Sequence, residues 1–585
     1  MDSKHVTEST SGQEDIQKTW WKEAIIYQIY PRSFQDSDGD GIGDLNGITS
    51  RLDYIQSLGV DIIWLNPIFL SPNDDNGYDI SDYREIMREF GTMEDFDRLL
   101  KEIHKREMRL VLDLVVNHTS DEHPWFEEAR KSRHNPYYNY YHWWPAEKGE
   151  PPLRLSYFDE EGNAWMYNKP TDSYYLHYFS RKQPDLNWEN PEIRQEIFDM
   201  MRFWFDKGID GFRMDSISLI AKDPSFPLID SKKYPDIFSF YAKEPRLHLY
   251  LHEMNRQVLS KYDCMSVGEG SAVMVDDVAK SVDPAREELN MLYHFDAARI
   301  RNTTLPDNPE SGIDYSLIAL KKMFTEWDKA IDKGWPSIYL GNHDQPRMVS
   351  RFGSDKDEFR ALSAKMLITF LLTMRGTPYW FAGDEIGMRN IRFDRIEDYN
   401  DIDTINRYKK AKAEGKDPQA VLDEQKETGR DNARTPFQWD RSPEAGFTAG
   451  TPWLKVNPDY TWINVADEEK DPTSILNYFK KVVSFRKENP SLIYGSYHLL
   501  DAENPQCYIF LRKTGADTYL IMLNFSPKAA ISTPGIDMSN AHVLLDNYGD
   551  RSHMAPQKDI TLRPFEAIVF QLNHPVYESF IDSLD

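Results

Sequence analysis

A closed (β/α)8 barrel, with a domain inserted after its third strand and an antiparallel β domain at its C-terminal end, is the α/β fold that the sequence predicts. Three observations carry this expectation: short β-branched runs alternate with longer amphipathic stretches, eight such runs can be placed, and after residue 488 the pattern changes to period two. The runs are 25–30, 61–65, 110–115, 211–215, 265–268, 292–295, 337–340 and 378–382, with helical patterns at 48–58, 93–108 and 193–207 among the stretches between them. Strands that alternate with helices pair in parallel and are buried on both faces, and eight of them favour closure over an open sheet.

The rhythm stops between 119 and 185. Pro, Asn, Trp and Tyr crowd that stretch without a helical period, as in Tyr137-Tyr-Asn-Tyr-Tyr-His-Trp-Trp144, so it reads as an inserted domain. The barrel then takes 19–118 and 186–500. Runs at 507–511, 518–523 and 567–571 place the antiparallel domain over 501–585, and the polar, aperiodic residues 1–18 read as a loose tail.

Composition narrows the function. The 585 residues carry 69 Lys and Arg against 96 Asp and Glu, and a formal charge of -27 opposes phosphate backbones and anionic lipid, which argues against nucleic-acid and membrane partners. Two cysteines, Cys264 and Cys507, are too few for a disulfide scaffold and read as ordinary buried thiols. The start, Met1-Asp-Ser-Lys-His-Val-Thr-Glu8, has neither the basic beginning nor the apolar core of a secretory signal, so the chain is expected in the cytoplasm, as a monomer or small homo-oligomer. No apolar run approaches the roughly 20 residues that cross a bilayer. Aromatic residues make up 13% of the chain, and their faces suit sugar rings as well as cores.

In such a barrel the active site lies at the C-terminal ends of the strands. There the sequence places Asp113-Leu-Val-Val-Asn117-His118 on strand three, Gly211-Phe-Arg213-Met-Asp215 on strand four, Val267-Gly-Glu269 on strand five and Gly341-Asn342-His343-Asp344 on strand seven. Carboxylates from separate strands, converging with an Arg and two His, suit hard metals or glycosidic chemistry, and the aromatic content favours sugars. Asp215 and Glu269, on neighbouring strands, fit the nucleophile and acid of a retaining glycosidase, about 5–5.5 Å apart.

These strand-end segments, in this order and spacing, resemble the four hallmark regions of the α-amylase superfamily of glycoside hydrolases, family 13. Gln183-Pro-Asp-Leu-Asn187 and Arg430-Asp-Asn-Ala-Arg-Thr-Pro-Phe-Gln-Trp439 are similar to its oligo-1,6-glucosidase and α-glucosidase branch, which also holds sucrose isomerases. The resemblance implies Asp215 as nucleophile, Glu269 as acid/base and Asp344 as transition-state stabiliser, with Arg213 holding Asp215 ionised. It also implies that His118 and His343 bond sugar hydroxyls, that Tyr78 stacks under the ring, that Phe179 and Gln183 join the binding set, and that Asp75 closes the pocket with an arginine, Arg430 or Arg434. The activity implied is retaining, exo-acting hydrolysis of short α-glucosides of the maltose, isomaltose or sucrose type, with transglucosylation open to the intermediate. The alternative is a glucosyl transferase or isomerase of sucrose-isomerase or trehalose-forming type; a catalytically dead sugar-binding subunit would have lost strand-end carboxylates that this chain keeps.

The loop from Asp36 through Asp38 and Asp40 to Asp44 spaces acidic oxygens at alternate positions with Gly between, as an EF-hand loop does, but has Gly47 at the twelfth position. The resemblance implies a structural calcium there, held by Asp36, Asp38, Asp40, the Ile42 carbonyl and Asp44, and no organic cofactor. The chain also departs from the family's pattern. Ser216 follows the nucleophile where Val, Thr or Ala is usual, Phe381-Ala-Gly-Asp-Glu385 replaces a commoner aromatic-Gln-Gly-Glu-Glu, and the segment after Phe295 lacks the Arg-rich stretch of sucrose isomerases, which favours hydrolysis.

Overall fold

The computed structural model describes residues 18–158, 162–230, 232–234, 238–515, 517–536, 538–552 and 558–572, so all of the expected tail except Lys18 lies outside the described residues. Eight strands form one parallel sheet: β1 (Ile26–Ile29), β2 (Ile62–Leu65), β3 (Arg109–Val115), β4 (Gly211–Asp215), β5 (Met265–Glu269), β6 (Met291–Tyr293), β7 (Ser337–Ile338) and β8 (Thr377–Phe381). Their order is β6-β5-β4-β3-β2-β1-β8-β7, and the end strands β6 and β7 lie against each other, which closes the barrel. The strands are buried along their length save for Arg109 at the start of β3, as expected when helices cover the outside and side chains fill the inside.

Alternation divides the strand side chains between two cores. Ile26, Ile62, Trp64, Val111, Val267 and Met291 meet inside the barrel, whereas Ile25, Tyr27, Ile63, Leu110 and Leu112 pack against the surrounding helices. The helical pattern read over 48–58 is two helices, α1 (Leu45–Ser50) and α2 (Leu52–Ser57), which part at Arg51. There Thr49 and Ser50 turn their hydroxyls back onto the Leu45 and Gly47 carbonyls, competing with the backbone ladder. The longer α3 (Met93–Lys105) starts on a Thr92/Asp95 capping box, and α4 (Pro191–Lys207) on an Asn190 cap with Pro at its first turn.

Between β3 and α4 the chain makes a three-stranded antiparallel sheet from Trp143–Pro145, Trp165–Asn168 and Ser173–Leu176, preceded by a short helix, Pro124–Ala129. Bridges His118 to Asp185 and Tyr141 to Leu186 tie its base to the barrel mouth. A short helix after β6, α5 (Asp296–Thr303), returns to that mouth. After β8 a helical excursion includes α6 (Ile402–Ala413) and α7 (Asp431–Arg434) before α8 (Ile475–Glu488) completes the barrel wall.

The C-terminal sheet runs β9 (Ser496–Leu500), β10 (Cys507–Thr514), β11 (Asp517–Asn524), β13 (Ala567–Leu572) and β12 (His542–Asp546), all antiparallel. Its first strand begins at Ser496, five residues before the boundary of 501 that the sequence pattern gave, because β9 pairs along its whole length with β10. Of the two thiols expected to be buried, Cys507 is, but Cys264 is only half-buried at a barrel edge. Among the described residues no helix is long and apolar enough to cross a membrane.

Candidate active site

Alternation also selects which side chains enter the barrel mouth. Val111, Val267 and Met291 face the barrel interior, so the residues two further on, Asp113, Glu269 and Tyr293, face it at the C-terminal end. Register completes the set: Asp113 lies level with Arg213, and Glu269 with Tyr293. Arg213 has no exposed side-chain surface. Its Nη1 donates to Asp113 Oδ1 at 2.7 Å and to Asp215 Oδ1 at 2.9 Å, its Nε to the Tyr293 hydroxyl at 2.8 Å, and its Nη2 to Glu269.

One guanidinium cannot neutralise three carboxylates. Burial pushes Asp215 well above the usual carboxylate range and the Glu269 charge pushes it further, with Arg213 pulling the other way. Burial likewise lifts Asp113 to about 6 against the same arginine. Arg213 thus acts on Asp215 in the direction expected of it, favouring the ionised form, against burial and the neighbouring carboxylate. Asp215 and Glu269 are both drawn onto one guanidinium, the first through Nη1 and the second through Nη2. Two carboxyls from neighbouring strands thus face one cavity, the arrangement that a retaining double displacement requires.

Asp344 has the opposite environment. Burial raises its carboxyl, but His343, Arg430 and Arg434 outweigh it and hold it below the usual range. Arg434 Nη2 reaches its Oδ1 at 3.0 Å and Arg430 Nη1 at 3.2 Å. Arg430 also extends Nη2 to Asp75 at 3.3 Å, whereas Arg434 turns its guanidinium to Asp344 and the His343 carbonyl, so Arg430 is the arginine that pairs with Asp75. Burial lifts Asp75 to about 6 in spite of both arginines.

These groups surround a cavity of about 310 Å³, at the lower end of the range for small-molecule sites. Asp75, Tyr78, His118, Phe179, Asp215, Glu269, Asp344 and Arg430 line it. The structure sets three of the expected binding residues, Arg213, Gln183 and His343, one layer back. Gln183 is fully buried and bonds Asp75 and the Tyr78 carbonyl, both at 3.4 Å. His343 has both ring nitrogens engaged, Nδ1 with Gln28 Nε2 at 2.8 Å and Nε2 with the Tyr78 hydroxyl at 2.7 Å, and its ring stacks on Tyr78 at 5.3 Å. Because the Gln28 amide is a donor, His343 Nδ1 accepts, its proton sits on Nε2, and burial keeps the ring neutral. Tyr78 in turn donates to Asp113 Oδ2 at 2.9 Å.

Sequence reading did not name Tyr157, Phe158 and Arg299, which also line the cavity. They come from the inserted segment and α5, and no motif marks them. Nor did it name Asp113 as the carboxylate that joins Arg213 to Tyr78, although Asp113 opens a quoted motif. Ser216 lines the cavity too, in the left-handed region at φ 42, ψ 32, and its backbone N–H donates to Glu269 at 3.2 Å.

In the acidic loop, Asp36, Asp38 and Asp40 each bring a carboxylate oxygen within 4.8 Å of the others. Burial raises Asp36, but the Thr448 hydroxyl and three backbone N–H groups bring it below the ordinary value; burial and then the Asp38, Asp36 and Asp44 charges keep Asp40 high against the Ile42 N–H. Asp44 stands outside that trio as the N-cap of α1, accepting from Gly47 N at 2.7 Å and from Ser37.

Comparison with known proteins gives consistent relatives. Residues 28–495 match the family described as alpha amylase, catalytic domain. An oligo-1,6-glucosidase of Parageobacillus thermoglucosidasius is 51% identical over 96% of this chain and 100% of its own, and one of Bacillus cereus is 49% identical over 95% and 100%. Among solved structures, a mutant isomaltulose synthase from Erwinia rhapontici NX5, in complex with its natural substrate sucrose, superposes with a TM-score of 0.90 at 43% identity, covering 96% of this chain and 100% of that one.

Asp113 is wholly buried and accepts from both Arg213 Nη1 and the Tyr78 hydroxyl, so Asp113→Ala strands a buried donor and should cost about 1–3 kcal/mol of stability even with Asp215 and Glu269 still facing the guanidinium. Urea denaturation measures this; a loss below about 1 kcal/mol would show that the remaining acids suffice.

Proposed function

Because this chain belongs to the α-amylase family of glycoside hydrolases, we propose that it is a retaining, exo-acting α-glucosidase that removes glucose from the non-reducing ends of short α-glucosides. The observation that carries the reading is the Asp75–Arg430 ion pair in the wall of the cavity that holds Asp215 and Glu269: a cavity closed by such a pair admits a chain end and not a chain middle. The curated relatives named oligo-1,6-glucosidase support it.

In this reading Asp215 attacks the anomeric carbon while Glu269 protonates the departing glycosidic oxygen. The resulting glucosyl ester on Asp215 is hydrolysed by water that Glu269 deprotonates, so two inversions restore the α configuration. Asp344, kept anionic by two arginines, faces the positive charge that develops on the ring. His118, Tyr78 and Phe179 bound the sugar, and His343 holds Tyr78 in place. Transfer to a sugar instead of water uses the same intermediate, and the likeness to a synthase crystallised with sucrose supports it as a secondary activity and sucrose as one donor.

A structural calcium fits the Asp36, Asp38 and Asp40 oxygens, whose mutual distances suit ligands of one hard cation; Ile42 and Asp44 complete the set the resemblance implies, and the ion's role is to hold the loop after β1.

Asp215→Asn and Glu269→Gln should each abolish turnover of isomaltose and maltose in a folded protein, and early NMR spectra of the wild-type reaction should show α-glucose; initial β-glucose would mean an inverting enzyme. Chelation should lower the melting temperature more than it lowers the initial rate, since binding to the native state alone stabilises by mass action. An unchanged melting temperature, with no copurifying metal, would leave the loop an acidic turn. Ser216→Val adds methyls beside the leaving sugar and should raise the isomaltose to maltose rate ratio by no more than about 10–200-fold, at some cost in stability because a β-branched residue fits φ 42 poorly. An unchanged ratio assigns linkage choice to the aromatic walls.

A further inference from the structure

Arg430 is shared among three acids, and their grip on it is unequal. Its contacts with Asp75 and Asp344 are single and long, 3.3 and 3.2 Å, whereas Asp401 Oδ1 receives both its Nε, at 2.8 Å, and its Nη2. Asp401 is completely buried and caps α6: its other oxygen accepts from Thr404 Oγ1 at 2.8 Å and from Thr404 N at 3.2 Å. Its own N–H donates to Asp431 at 2.9 Å, which ties the start of α6 to α7 beside Arg430. The same helix braces the facing wall, because Asn406 Nδ2 donates to the Phe158 carbonyl at 2.6 Å and the Phe158 ring lies 4.8 Å from the Arg430 guanidinium. A bonding pattern of this kind fixes the direction of a guanidinium plane, which a single long ion pair does not.

We propose that Asp401 is a positioning residue for the closed end of the cavity: it holds Arg430 in the orientation that grips the terminal glucose, and thereby sets how tightly the enzyme takes a chain end. Asp401 does not line the cavity. It acts through Arg430, and the inference rests on the exo-glucosidase reading above.

Asp401 also takes part of the positive charge that Asp75 would otherwise receive. The charged and titratable groups around Asp75 are Arg430 and Arg434, Asp344 and Asp401 beside them, Asp79 in its own loop and Tyr30 across the barrel mouth. Around Asp401 stand Arg430, Arg434, Asp431, Asp403 and Tyr399. With Asp75 lifted to about 6, glucose binding in the wild type should weaken as pH falls through that value, because protonated Asp75 gives up its ion pair with Arg430 and the charged acceptor it offers a sugar hydroxyl. Removing the Asp401 charge leaves more of the arginine field to Asp75 and moves this acid limb to lower pH.

The test measures D-glucose affinity by calorimetry, and kcat and KM for isomaltose, as functions of pH in the full-length wild type, Asp401→Asn and Asp401→Glu. For Asp401→Asn, at neutral pH, glucose affinity should fall and KM rise by about tenfold while kcat changes by less than about threefold, as when binding common to ground and transition states is lost. The acid limb should move down. Asp401→Glu keeps the charge but displaces the carboxylate by a methylene, so KM should rise with the limb unmoved, and this variant carries the comparison if Asp401→Asn folds poorly. Wild-type affinity and an unshifted limb in Asp401→Asn would overturn the inference, as would a lower melting temperature accompanied by unchanged glucose binding. A wild-type enzyme that binds no glucose would instead overturn the exo-glucosidase reading.

Discussion

The active end of this barrel depends on one buried cation. Arg213 has no access to water, and an isolated guanidinium in that position would be prohibitively costly, so the interior has to supply anions around it. It supplies Asp113, Asp215 and Glu269, from three adjacent strands, with the Tyr293 hydroxyl of a fourth. Three acids to one base is an excess of negative charge, and a buried excess is relieved by retaining a proton. The acids that stabilise Arg213 therefore also bring to the cavity the two carboxyls that glycosidic double displacement needs.

A second cluster across the cavity has the reverse balance at its centre. Asp344 is flanked by Arg430 and Arg434 and stays ionised, although it is the same residue type as Asp215 and lies in the same cavity. Neighbours, and not chemistry intrinsic to aspartate, pull the two carboxyls in opposite directions. The clusters are joined by a relay in which Gln28 donates to His343, His343 bonds the Tyr78 hydroxyl, and Tyr78 donates to Asp113. That chain ties the tautomer of a neutral histidine to the plane of an aromatic ring at the floor of the cavity.

Much of this was legible in the residues. The eight barrel strands lie within a few residues of where β-branched runs and flanking helical periods put them, because burial on both faces imposes a local composition that needs no knowledge of partners. The same holds for α3 and α4, whose caps sit in sequence beside the helices they start. Strand β9 was missed because Ser496-Tyr-His-Leu-Leu500 is short and follows a helix directly; only pairing with β10 makes it a strand.

By itself the sequence determined the barrel, the motifs and which residue types would gather at the strand ends, since strand parity and strand end are local properties. Tertiary structure decided what each of those residues does. Arg430 and Arg434 are one helical turn apart and equivalent as sequence, yet only Arg430 reaches Asp75, 355 positions away. His343 and Asp344 are adjacent, yet one is held behind Tyr78 by Gln28 and the other lines the cavity. Tyr157, Phe158 and Asp401 belong to no motif, and they become cavity wall and arginine anchor only when the inserted segment and α6 fold over the barrel mouth. Proximity across hundreds of residues follows from the path of the chain, and charge state follows from proximity, so neither can be read from the order of residues alone.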